Sequence, residues 1–538
     1  MITVVIVLIA VLLPLVIIAQ TSEVASLLTS GRARNYALAR NAATSLYSTI
    51  YQQANTNADP FLKCTYTTWP GYVGSGSVSS CPTTEVTNPS PPWPSSWSAS
   101  AASSSTYNFV SFGSSGSLGP CSTASGPCAD FTVSYAPAAS STPPFANVVI
   151  DAFDACNGAP SLCVEVRYSA QLARETYPEW LWFNNHTTVG RPGSTGFPIP
   201  GSNPKKYYDG TPGVWTTGQV AHGPVGTNGH HIYFCGTPEF FAHSGGNAGE
   251  VSAAGNPSLA LAPGCTTLTP PTFTAGPPTP GALPPMSKLG ALKAIAQAEK
   301  SSSGSTPYNL SGDYTAVFCS TSSTTSNIAI YQTGSSSPTT CTSGAISWPS
   351  KGVLYDAGNL TVSGTADQAI TVVATGTGTG NVTIAGNLTV PLDDSSGTCA
   401  SGTVPSTSCT ALVGIIAGTD ITFAPLASST AVSGCPTTYG NQSVDAVLLA
   451  IRGDVSDAQW ATQKACVPGT ITYVGSIIEN YQGMFGTGTQ SDGKVFTGYA
   501  TNHFYFDTRL SSQQPPSFPN PTITHWLDRS LAEVPPHA

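Results

Sequence analysis

The sequence predicts a mainly β protein: a long N-terminal transmembrane and amphipathic α-helix, followed by a β-rich body that ends in a parallel β-helix. Three observations predict it. An uncharged apolar run, ITVVIVLIAVLLPLVIIA, fills residues 2–19, and the chain continues at helical spacing without proline to residue 53. From about Gly312, short β-rich runs recur between Gly/Asn turns at intervals of roughly ten to twenty residues. Only 8% of the 538 residues are Asp, Glu, Lys or Arg, against about a quarter in ordinary soluble proteins, while Gly (53) and Pro (45) abound. Hydroxyls, not charges, must wet this surface.

Residues 1–54 form the predicted helix, with a membrane span at 2–19. At 1.5 Å per residue the span covers about 27 Å, close to a bilayer's apolar thickness of about 30 Å. No Lys or Arg precedes it, which favours an anchor over a cleaved secretory signal. Beyond it Val24, Leu27, Leu28, Gly31, Leu38, Ala42, Leu46 and Ile50 recur on one helical face. Residues 55–119, centred on NPSPPWPSSWSASAASSS, read as a Ser/Pro/Gly-rich loop region. There Trp93 and Trp97 pack down on a neighbouring domain or stack on a ligand. Residues 120–268, with FANVVIDAFDA and LCVEVRYSAQLARETYPEWLWFNN, read as a β-rich middle domain. The run TPPTFTAGPPTPGALPPM at 269–286 is a Pro-rich linker. Residues 287–310 hold a short helix and connector, in which Ser287 would cap a helix whose Leu289, Leu292, Ile295 and Ala296 share a face.

Residues 311–524 form the predicted β-helix with a C-terminal cap. YTAVFCS, NIAIYQT, QAITVVATG, ALVGIIAGTDITFA and VDAVLLAIRGD are its strands. GNLTVSG at 358–364 and GNLTV at 386–390 look like copies of one unit. Each rung would bury its apolar residues by stacking on its neighbours, with Gly and Asn in corners that need positive φ. An antiparallel sandwich is the alternative.

The fourteen cysteines fall into neighbouring pairs: Cys64 with Cys81, Cys121 with Cys128, Cys156 with Cys163, Cys235 with Cys265, Cys319 with Cys341, Cys399 with Cys409, and Cys435 with Cys466. None forms a C-x-x-C, so local disulfides outside the cytoplasm are expected. Arg32, Arg34 and Arg40 after the span favour a cytoplasmic C-terminus, but seven potential bridges outweigh them. The stretch HGPVGTNGHHIYFCGTPEFFAH at 222–243 gathers His222, His230, His231, His243 and Cys235, all zinc-ligand types. TNG is a turn, and in the strand after it His230 and His231 point to opposite sides. Cys235 has a partner in Cys265, so neither a metal nor any other cofactor is expected.

A net charge of −9 with 18 basic residues leaves no patch able to neutralise many phosphates, which argues against nucleic acid as a partner. No G-x-S-x-G, H-E-x-x-H or phosphate loop occurs. Asp393 and Asp394 would face opposite ways in a strand, and Asp420, Asp454 and Asp457 share no motif. No enzyme activity is expected.

The apolar run followed by RARNYALARNAATSLY resembles the N-terminus of PilX-like type IV pilus-associated, minor pilin-like proteins, and GPVGTNGHHIYFCGTPEF is similar to a surface-protein segment of the same kind. TGYATNHFYFDTRLSSQQPPSFP resembles the closing motif of a β-helical domain of unknown function attached to pilin-like N-termini. The resemblance implies a non-enzymatic cell-surface structural protein of the pilus or pseudopilus class. It would be held through its N-terminal helix in the membrane or among other pilin-like subunits, displaying its body for adhesion, with surface glycans as possible ligands. It also implies a structural cap at Tyr499, Tyr505, Asp507 and Arg509. Asp507 and Arg509 stand two apart, on one side of an extended strand, and could pair at the open end of the stack. The alternative is an extracellular β-helical carbohydrate-active enzyme or a glycan-binding module.

Overall fold

The computed structural model describes most of residues 28–54, the strands between 66 and 154, most of 163–299 and 307–390, then 411–424, 440–458, 469–488, most of 495–519 and the strand Trp526–Val534. The protein is mainly β. It divides into two compact units, one of residues 1–138, 144–174 and 524–538, the other of 139–143 and 175–523. The expected middle body 120–268 is therefore shared between them, and the expected boundary near 311 falls inside the second.

The first unit is a six-stranded antiparallel sheet in the order Ser98–Ala101, Tyr107–Phe112, Cys128–Ala136, Phe145–Asp154, Val164–Arg174, Trp526–Val534. Two of its strands lie in the expected loop region 55–119, as do the short pair Tyr66–Thr68 and Tyr72–Val73. Serine-rich composition suggested loop there, but alternation in TYNFVSF is a strand signal that needs no charged residues. Trp93 and Trp97 lie outside the described residues. Along the sheet, Ala146, Val148, Ile150 and Ala152 are buried at period two, as are Val166, Tyr168, Ala170 and Leu172. The N-terminal helix lays Ala39, Ala42, Ala43, Leu46 and Ile50 into the same core. Spacings of three and four put these side chains on one face, and three alanines let the helix approach closely. The membrane span expected at 2–19 lies outside the described residues. Among the described residues no helix is long and apolar enough to cross a membrane.

The second unit is built on parallel ladders. One register column runs Leu354, Val372, Ile415, Leu448, Ile477, Trp182, Val225, Val251, Ala275, each residue opposite the next. A second ladder joins Tyr314–Cys319, Leu360–Thr365, Val382–Thr389, Ile421–Ala424 and Val455–Asp457. A third runs from the first half of Gln442–Ala450 through Thr470–Tyr481, Thr501–Phe506 and Gln219–His222 to Glu239–Phe241. Strands Val353–Asp356, Ile370–Ala374 and Val413–Ala417 are buried on both faces, which explains why they are apolar apart from Asp356 and Thr371. By contrast Thr501–Phe506 alternates half-buried with buried.

The column does not follow the chain from end to end. Residues 182–275 form one end of the stack, residues 309–481 form the other, and the two segments meet where Trp182–His186 pairs with Thr470–Tyr481. Both segments advance along the stack in the same direction, so the order of the paired strands is a circular permutation of their order in the chain. An aromatic cluster fills the seam. The Trp182 ring lies 4.9 Å from Trp215, 5.0 Å from Phe504 and 5.7 Å from Phe485. The Trp182 indole N–H donates to Glu479 Oε1 at 2.7 Å.

Helix Gly290–Ala298 buries Leu292 and Ala296, with Ile295 half-buried, and Leu289 is buried at its start. Ser287 sits inside the preceding 3-10 turn Met286–Leu289, and no side chain caps the helix, so the cap expected at Ser287 is not made. At the 314–319 edge the ladder is closed by antiparallel strands, Asn327–Gln332 on Tyr314–Cys319 and then Ile346–Ser347.

Candidate functional site

His222 stands in the third ladder with its ring between Phe241 and Tyr505, 4.7 Å from each and nearly parallel to both. Burial and the neighbouring His503 hold its pKa below the ordinary histidine value. His231 packs edge-on to Tyr233 at 5.8 Å, and Cys235 is bridged to Cys265. His230 and His243 lie outside the described residues. Among the described residues no three His, Cys, Asp or Glu side chains converge. What the histidine-rich stretch contributes is an aromatic stack along the third ladder.

The scattered Asp residues prove to be connected. Asp313 Oδ1 accepts the Asn359 backbone N–H at 3.2 Å, Asn359 Oδ1 accepts that of Asn381 at 3.0 Å, Asn381 Oδ1 that of Asp420 at 3.2 Å, and Asp420 Oδ1 that of Asp454 at 3.1 Å. Each side chain thus carries its own corner onto the next rung. The in-register partner of GNL at 358–360 is therefore GNV at 380–382, while the GNL at 386–388, alike in sequence, lies further along the same strand. Asn387 instead accepts from the Ser443 N–H at 2.9 Å. Nor do these Asn residues sit at positive φ, a conformation left to glycines and, among the described residues, to Ser517. Glycine precedes Asn359 because a Cβ on Gly358 would lie 1.6 Å from the Gly312 carbonyl oxygen.

Glu479 is fully buried. It accepts from Trp182, from the Val455 N–H at 2.8 Å and from the Gly483 N–H at 3.0 Å. Burial drives its pKa well up, against those three donors. Burial likewise pushes Asp356 up to about 7 and Asp445 up to about 6. These carboxyl groups hold backbone N–H groups: Asp356 takes that of Gly358 at 2.9 Å and Asp445 that of Val390 at 3.2 Å.

The four expected cap residues are near one another in sequence but do not close the stack's end. Strand Thr501–Phe506 lies mid-stack, between Thr470–Tyr481 and Gln219–His222. Tyr499 is buried and donates to Gln442 Oε1 at 2.5 Å, while Tyr505 joins the His222 stack. Asp507 and Arg509 do pair, with Arg509 Nε at 2.9 Å from Oδ1 and 3.0 Å from Oδ2. They do so through the 3-10 turn Thr508–Ser511, not from one side of a strand. Arg509 Nη1 also donates to the Ala411 carbonyl at 2.7 Å, and Thr371 Oγ1 to that of Pro516 at 2.5 Å. The segment is a strap across the flank of neighbouring rungs.

In the first unit, the Arg40 Nε donates to Tyr168 at 3.2 Å and the Tyr36 hydroxyl to Glu533 at 2.6 Å, tying the helix to two adjacent strands. Two disulfides are described, Cys235–Cys265 and Cys319–Cys341, and Cys163 is bridged as well. The other expected pairs involve residues outside the described set.

No protein-family model matches the chain, and no curated protein matches it. Among solved structures, the chain is similar to the competence-associated pilin ComZ from Thermus thermophilus, with 10% identity, 94% of this chain and 98% of that chain covered, and a TM-score of 0.26. That score is too low for a shared fold to be read from it.

Proposed function

We propose that this chain is a non-enzymatic cell-surface protein of the type IV pilus or pseudopilus class. Its apolar N-terminal segment, residues 2–19, is the part that enters the membrane or the filament, and the parallel ladders of its second unit are the turns of a β-helix held outward for adhesion. One observation carries the reading: the helix that continues the apolar run buries an alanine-rich face on an antiparallel sheet. In this reading the moored helix is the link between the assembly segment and a folded body. The local disulfides favour an extracytoplasmic setting. The carboxylates favour a structural body, since the chemistry of glycoside cleavage needs a pair left open to a substrate, and these are occupied by backbone N–H groups.

The test is removal of residues 1–27, which spares the buried helical face. The shortened chain should be soluble and folded, and absent from surface filaments sheared from cells. Its continued co-purification with filaments would sink the proposal.

A further inference from the structure

A cavity of about 880 Å³ opens on the flank of the second unit, between the C-terminal end of helix Gly290–Ala298, the turn Trp348–Gly352 and the strap at Gln513–Ser517. Its size falls in the range of small-ligand sites. Each wall is fixed. The Glu299 carboxylate accepts from Ser350 Oγ and the Lys351 N–H, both at 2.5 Å, which locks the turn to the helix end. Trp348 Nε1 donates to the Ala369 carbonyl at 3.2 Å, and Thr371 holds Pro516. At the rim, Ser517 has φ +57°, the left-handed region that a side chain such as serine's disfavours.

The lining chemistry selects a ligand class. Gln368, Gln513 and Ser517 line it with amide and hydroxyl groups beside the Glu299-bound Ser350, Pro349 and Pro516 line it with apolar surface, and Lys351 is the one ionisable side chain among the lining residues. An anion is disfavoured, because the helix points its negative end here and the Glu299 carboxylate adjoins Lys351. A cation finds no lining carboxylate. Amides and hydroxyls paired with apolar floor match the alternating polar rim and C–H faces of a neutral sugar.

We propose that this cavity binds a short neutral oligosaccharide of two to four residues, without turnover. The proposal rests on the cavity alone and stands or falls separately from the pilus reading.

The test titrates the whole chain, in mild detergent, with a panel of neutral gluco-, galacto-, manno- and N-acetylglucosamine oligosaccharides of that length beside uronate and sialylated counterparts, followed by calorimetry and ligand-observed NMR. At least one series should bind. Gln368→Ala combined with Gln513→Ala should weaken it tenfold or more. Ala298→Trp, placed at an exposed helix position facing the cavity, should abolish it without moving the melting temperature. No binding by any neutral series, binding restricted to uronate or sialylated sugars, or binding indifferent to Ala298→Trp would each overturn it.

Discussion

Asn381 shows what a single side chain does in this protein: its amide oxygen takes a backbone N–H belonging to the rung beyond its own. Replacing it with alanine leaves the buried Asp420 N–H without that acceptor. The expected loss is about 1–2 kcal/mol, measured by denaturant unfolding. Asp356 behaves differently, because its carboxyl group is pushed up to about 7 by burial. The folded protein then binds a proton that the unfolded chain, at about 3.9, has released. Its contribution is complete below about pH 4, declines as pH rises, and is gone above about pH 7. Asp445, pushed up to about 6, adds to the decline over the lower part of that window. Asp356→Asn keeps an oxygen for the Gly358 N–H and should flatten the slope, stabilising the protein at pH 7 by on the order of 2–4 kcal/mol relative to wild type. Melting temperatures collected from pH 4 to 8 check this. Sequence alone exposed the glycine–asparagine corners but not their register, since the match between 358–360 and 386–388 is closer in letters than the one that stacks. Spacing between stacked corners varies from 22 residues, Asn359 to Asn381, to 46, Asp313 to Asn359, so no fixed repeat length could reveal it.

At the scale of the element, strands were readable wherever β-branched residues alternated or ran together, as in QAITVVATG. They were concealed where serine supplied the polar positions, as at 98–112. The pairing of neighbouring cysteines was readable too, because a bridge across a short loop is geometrically cheap. Cys235–Cys265 and Cys319–Cys341 close loops of 30 and 22 residues. Replacing both members of either pair with alanine should cost about 3.5 kcal/mol on the chain-entropy account, seen as a lower denaturant midpoint. The Cys319 bridge lies beside the antiparallel strands that close the ladder's edge, where the sequence offered no cap signal. The C-terminal motif offered a strong one, and its residues turned out to fasten a flank. Asp507 and Arg509 could be recognised as a pair from their spacing, yet their destination at Ala411 depends on a contact 98 positions away.

For the second unit as a whole, the decisive fact is that the stack's order differs from the chain's order. From Ala275 the register column passes six rung steps before it reaches Ile415, whose rung leads to Gly418. Met286 lies against Gly418, its Cε 2.9 Å from where a Cβ there would project. Six steps of about 4.8 Å make about 29 Å along the stack. Part of the stretch read from the sequence as a Pro-rich linker, 269–286, is itself a strand of the stack, Phe273–Ala275 paired with Gly249–Ala253. Trp182, at the seam, holds both segments together, and Trp182→Ala should destabilise the unit by about 3–5 kcal/mol in calorimetric unfolding.

That seam also sets a timetable. A ribosome delivers Trp182 nearly three hundred residues before the strand that must cover it, so the earliest rungs emerge with an aromatic end uncovered and wait for their neighbours. Completion of the second unit is postponed until the strand Thr470–Tyr481 has been made, and until then the uncovered edge is open to pairing with another.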